Sequence, residues 1–322
     1  MDFGRIIGRA WQITWKFKIL WLFGFLAALY FNSPSSSSYR YDTLPPKLAG
    51  QVEQFIFGPF FAPVIAGVLV AFFLIGIVFA ILKVIGRTGL VDQINAAEQG
   101  IRPTGRAGWA AFRRYGWRMF WISFFSGLPG FLIFMVAIVP LLWATVSFLP
   151  ELRSFSFYNF NPDPTGFLLG LAWFFPVCCL GVFVCAFFSL LRTLGERVCV
   201  IEDQGIWESI KGGWLMLWGQ LGSVFLMWLL IFVINFAVIG LIVIPAILIS
   251  LLFFVPLLLS TQILNGDFSI IGLTSLICLG GVIWIWGVSI ASIAETFYSC
   301  CWTLIYRQLT GREFGGDLAE CC

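Results

Sequence analysis

A carboxylate inside an apolar run is expensive in lipid and marks a functional candidate by default. Glu295 sits in such a run, "WGVSIASIAETFYSCCW", with Ser289, Ser292, Thr296 and Ser299 spaced three, four and three apart. On a helix that spacing forms one polar seam. Glu295 also precedes Arg307 by twelve residues, roughly 18 Å along a helix. If Arg307 marks the membrane edge, Glu295 lies within the membrane. A seam of this kind either joins two helices by hydrogen bonds or carries a proton or cation. Asn235, in another apolar run, offers the same choice. The candidate intramembrane polar site is therefore Glu295, Ser292, Ser299 and Asn235.

Two charged stretches offer other chemistry. "GERVCVIEDQG" holds Glu196, Glu202 and Asp203, a set able to do acid–base work or bind a divalent cation. Arg192 and Arg197 adjoin them, and the plainer expectation is a solvated, ion-paired loop. The basic stretch Arg102, Arg106, Arg113, Arg114 and Arg118, interleaved with Trp109, Phe112 and Trp117, reads as an anchor for anionic lipid headgroups. No nucleic-acid partner is expected. The sequence has no histidine, which removes His-based triads and His-ligated metal or haem. None of the nine cysteines has C-x-x-C spacing, and those in apolar runs act as small hydrophobes. The Cys321–Cys322 pair has the look of a lipidated tail. There is no P-loop, GxSxG or HExxH pattern. No catalytic residue, cofactor or metal is expected.

The elements that must carry these residues are membrane helices. Hydrophobic residues make up 60% of the 322 positions and charged residues 11%, far too few charges to cover a water-facing surface. The fold class is all-α integral membrane. Runs near 17–31, 59–85, 119–148, 167–191, 220–247 and 270–305 predict about six transmembrane helices. The first resembles a signal peptide but lacks a good cleavage site, and reads as a true span. Pro245 and Pro256 predict a break or an outer interfacial helix in "PAILISLLFFVPLLL". Residues 32–54, 149–166 and the stretch around "TQILNGDFS" form the outer loops.

A repeat organises the six runs. "QGIRPTGRAGW" from Gln99 and "QGIWESIKGGW" from Gln204 stand 105 residues apart, and "AWQITW" from Ala10 is a fainter third copy. The chain reads as one transmembrane domain of three tandem hairpins, at about 1–98, 99–203 and 204–322. An amphipathic interfacial helix is expected to lead each hairpin. Trp11, Trp109 and Trp214 anchor those helices at headgroup level, and Arg87, Arg192 and Arg307 close the hairpins at the same face. Sixteen of the nineteen Lys and Arg fall on that face. Cationic loops stay cytoplasmic, so both termini are expected inside a plasma membrane.

"AWQITWKFKILWLFGFLA", "RVCVIEDQGIWESIKGGWLMLW" and "SCCWTLIYRQL" give the chain a family likeness. It resembles bacterial polytopic membrane proteins similar to the membrane domain appended to some glycerophosphoryl diester phosphodiesterases. The resemblance implies about six helices and no established activity, and phosphodiester hydrolysis does not carry over, since the catalytic barrel is absent from these residues. The expected function is non-enzymatic: lipid interaction, or an accessory role in a membrane assembly, with membrane lipids and other membrane subunits as partners. The alternative is a small transporter or permease component that uses Glu295.

Overall fold

The computed structural model describes residues 2–28, 61–153, 165–259 and 270–312. They form eight helices and, among the described residues, no strand: α1 Phe3–Lys16, α2 Ile19–Ala28, α3 Phe61–Glu98, α4 Gly105–Arg153, α5 Thr165–Ile201, α6 Ile206–Gly219, α7 Leu221–Leu259 and α8 Ile270–Leu309. Helices α3, α4, α5, α7 and α8 are each long and apolar enough to cross a membrane. The protein is an all-α integral membrane protein. The helices pair as hairpins, α2 with α3, α4 with α5 and α7 with α8.

These helices exceed what a membrane requires. At 1.5 Å per residue, α3 runs about 57 Å, whereas the hydrocarbon core is about 30 Å thick. The surplus lies at one end, where it packs with α1, α2 and α6 into a head. The main core is there: Ile6, Ile13, Leu20, Leu90, Ile94, Leu194, Met227, Leu304 and Tyr306 are all fully buried. The spans above are bare by comparison. On α3 every residue from 63 to 78 is exposed, around more than four full turns.

Solvent explains the division. Where water is the alternative, burying one Leu or Ile side chain stabilises by about 1.5–3 kcal/mol. In lipid an apolar side chain gains nothing from that effect by turning inward. Packing therefore concentrates where the helices leave the hydrocarbon.

Local signals set the head's joints. Asp2 caps α1, accepting from the Arg5 N–H at 3.1 Å. That helix buries Ile6, Ala10, Ile13 and Thr14 and turns Trp11 and Trp15 outward. It stops at Phe17, and the Trp21 indole N–H donates to the Thr14 carbonyl across the joint. Gly100, at φ +79°, ends α3: Ile101 N–H bonds the Ala96 carbonyl and Gly100 N–H that of Ala97. This is a Schellman cap, which favours glycine.

Two expectations meet a different backbone. Discrete leading helices exist in α1 and α6, but the segment carrying Trp109 continues into its span as the single helix α4. Helix α7 passes Pro245 and Pro256 without a break. Pro is tolerated within membrane helices because neighbouring groups and small backbone adjustments compensate for the missing bond. The loop of residues 32–54, most of 149–166, all of "TQILNGDFS" and the Cys321–Cys322 pair lie outside the described residues.

Candidate functional site

Three helices end their apolar runs at one level. On α3 the first charges after the run are Lys83 and Arg87, on α5 Arg192 and Glu196, and on α8 Glu295. Packing in the head brings them together. Glu196 Oε1 is the hub, 3.2 Å from Arg87 Nη1, 3.6 Å from Arg192 Nε and 3.2 Å from Ser123 Oγ, which donates to it. Arg87 Nη2 lies 3.9 Å from Glu295 Oε1. Lys83, one turn before Arg87, lies in the field of Arg87, Arg192, Glu295 and Glu196. Arg197 is buried below and donates to the Thr193 and Ser299 carbonyls.

Glu196 therefore departs from the solvated loop expected of it. Helix α5 continues to Ile201, and Glu196 points into the head with a side chain only 5% exposed. Asp203 does stay at the surface, where it pairs with Arg114 and Arg118. Glu202 accepts from the buried Tyr306 hydroxyl at 2.6 Å. Sequence gave Ser123 and Lys83 no role. The one local signal for the hub was the four-residue spacing of Arg192 and Glu196.

The proposed polar seam on α8 divides between neighbours. Ser292 Oγ donates to the Trp21 carbonyl at 2.7 Å, and Thr296 Oγ1 to those of Leu20 and Ser292. The bonds to Trp21 and Leu20 hold α2. Asn235 Oδ1 accepts from the Tyr298 hydroxyl at 3.3 Å, joining α7 to α8. Ser299 is buried, and its carbonyl accepts from Arg197. Glu295 faces Arg87 at the foot of the spans, not a partner in mid-membrane. The offset arises because α8 continues past Glu295 for four more turns. Arg307 lies deeper in the head, where Nη1 donates to Asn95 Oδ1 at 2.8 Å.

The arginines named as interfacial anchors thus act within the protein. Arg87 and Arg192 bind Glu196, and Arg307 is buried. A carboxylate on the same or a neighbouring helix gives Arg87 and Arg192 a charge-assisted partner within the protein. The tryptophans differ: Trp11, Trp109 and Trp214 are all exposed. They belong to an aromatic girdle. Trp11, Trp15 and Trp21 form edge contacts on α1 and α2. Trp117, Phe120, Trp121, Phe124 and Phe125 run along α4 to Trp207. Phe187, Trp214 and Trp218 close α5 onto α6.

Helix α4 reaches the girdle by crossing under α3. Gly108 abuts Phe23, which also touches Gly89, while Ser123 meets Glu196 beside Arg87. Those two points on α4 are about 22 Å apart along its axis, yet Gly89 and Arg87 are only two residues apart.

No family model, curated protein or solved structure matches the chain, and the likeness to the phosphodiesterase membrane domain gains nothing from these comparisons.

Proposed function

We propose that this protein is a non-enzymatic, multi-pass protein of the plasma membrane, with both termini cytoplasmic, that binds and organises lipids at its head–span junction. The supporting observation is the exposed aromatic girdle at the level of the charged cluster, with Arg102, Arg106 and Arg113 on the nearby surface. Amphipathic rings favour the headgroup layer, and basic side chains there attract anionic lipid. The sequence has no histidine to serve as a base, and Glu196, Glu98 and Asp203 are each bound to arginine. The spans also leave apolar surface for other membrane subunits, the accessory form of the same reading.

Purification in a mild detergent, followed by mass spectrometry of what co-purifies, tests this proposal. Acidic phospholipid enriched over its share of the source membrane is expected. A lipid profile identical to the bulk membrane, together with solute flux in liposomes, would replace the proposal with the transporter reading.

A further inference from the structure

The cluster around Glu196 is unbalanced in charge. Lys83, Arg87, Arg192 and Arg197 bring four cations together with two carboxylates, Glu196 and Glu295. Nε of Arg197 is buried and makes no hydrogen bond to the described residues, and Nε of Arg192 has only its 3.6 Å ion pair with Glu196 Oε1. An excess of two positive charges at the edge of hydrocarbon is costly unless an anion offsets it.

The cluster is also partly exposed. The side chains of Arg87, Arg192 and Glu295 retain 20%, 24% and 32% exposure. Above them, at three- and four-residue steps along each helix, α3 presents Ala80 and Gly76, α5 Ser189, and α8 Val288, Trp284 and Gly281. Most are small, and nothing among the described residues lies within 4 Å of a Cβ built on Gly76 or Gly281. Partly exposed cations beneath exposed, mostly apolar helix faces fit an amphiphile with an anionic head.

We propose that Lys83, Arg87 and Arg192 bind the phosphate of an anionic membrane lipid whose chains lie between α3, α5 and α8. The proposal rests on the lipid-binding reading above and gives it a site and a ligand class. Guanidinium groups bind phosphate oxygens in paired, charge-assisted hydrogen bonds. A phosphate monoester carries about −1.5 to −2 charges near neutral pH, which matches the excess of two. Phosphatidic acid should therefore bind more tightly than a diester lipid such as phosphatidylglycerol.

The test uses the full-length protein in nonionic detergent, titrated with dioleoyl phosphatidic acid, phosphatidylglycerol or phosphatidylcholine, with bound lipid counted by native mass spectrometry. One phosphatidic acid per chain is expected, held about tenfold more tightly than phosphatidylcholine. Arg192→Gln and Lys83→Gln should each weaken it by about tenfold. Glu295→Gln removes a negative charge and should strengthen it by about threefold. All three should keep wild-type helicity and elution volume. Wild-type retention by both Arg192→Gln and Lys83→Gln, with loss in an Arg102→Gln, Arg106→Gln, Arg113→Gln variant, would overturn the site and leave the lipid-binding reading standing. Equal retention of phosphatidic acid and phosphatidylcholine by the wild type would overturn both. Full displacement by about 10 mM inorganic phosphate would show a site for free anion and defeat the lipid assignment.

Discussion

Glu196 holds together groups that would otherwise repel. Its one carboxylate faces Arg87 and Arg192 and accepts from Ser123, in a site with almost no exposure. Glu196→Gln leaves two guanidinium groups facing one another with Arg197 below. Breaking a buried pair from one side costs about 3–5 kcal/mol, so this variant should melt far below wild type in a detergent thermal-shift assay. Among the described residues Glu295 has one ion pair, at 3.9 Å, and about a third of its side chain is exposed. Glu295→Gln should change stability by no more than about 1 kcal/mol. An equal loss in the two variants would show that the hub is misassigned. A folded Glu295→Gln variant that abolishes solute flux would favour the transporter reading. Sequence singled out Glu295, Arg87 and Arg192, because each interrupts or ends an apolar run. It did not bring them together, since the Arg87–Glu196 bond joins residues 109 apart, beyond the reach of any local periodicity.

Glycine sets how closely the elements of the head approach. A Cβ built on Gly24 would lie less than 3.0 Å from Thr296 Oγ1 and the Ser292 carbonyl oxygen, and one on Gly86 less than 3.0 Å from the Ala27 nitrogen and the Phe23 carbonyl oxygen. Helix α2 is thus wedged between α3 and α8 with no room for a methyl group. Gly24→Ala and Gly86→Ala should each destabilise by about 1–3 kcal/mol through overpacking. Gly76→Ala, in open space on α3, should be neutral or stabilise by up to about 1 kcal/mol through helix propensity. Thermal melts followed by circular dichroism would show the difference, and a harmless Gly24→Ala would undo this account of α2. Apolar run length made the long helices legible. The joints were less so, because identical letters serve different backbones. Gly100 closes α3 in the left-handed region, whereas Gly205, in the matching "QGI", is extended at φ −66°, ψ 170° and begins α6. Glu208 steadies that second turn by accepting from the Gly205 N–H at 3.1 Å. In its place Asp203 takes the left-handed conformation, at φ 54°.

At the scale of the whole molecule, the head determines orientation. Sixteen of the nineteen Lys and Arg lie at or beyond the junction. Translocating the head would carry that set through the hydrocarbon, where one Lys or Arg at the centre of a helix costs about 2.5–3.5 kcal/mol on the insertion scale. The loop after α3 and the first turns of α4 dominate, with Arg102, Arg106, Arg113, Arg114 and Arg118 close to a span end, where the bias acts most strongly. A reporter active only outside the cytoplasm should give signal when fused after Ser36 or Asn161 and none when fused after Thr104 or Gln204. Because the three hairpins share one head, all four fusions must agree. Signal after Thr104 alone would place α3 and α4 on opposite sides of the membrane and break the Arg87–Glu196 contact. Signal after both Thr104 and Gln204 would invert the whole head. Either result removes the cytoplasmic leaflet as the source of the anionic lipid, since the girdle and the charged cluster would then meet the opposite face.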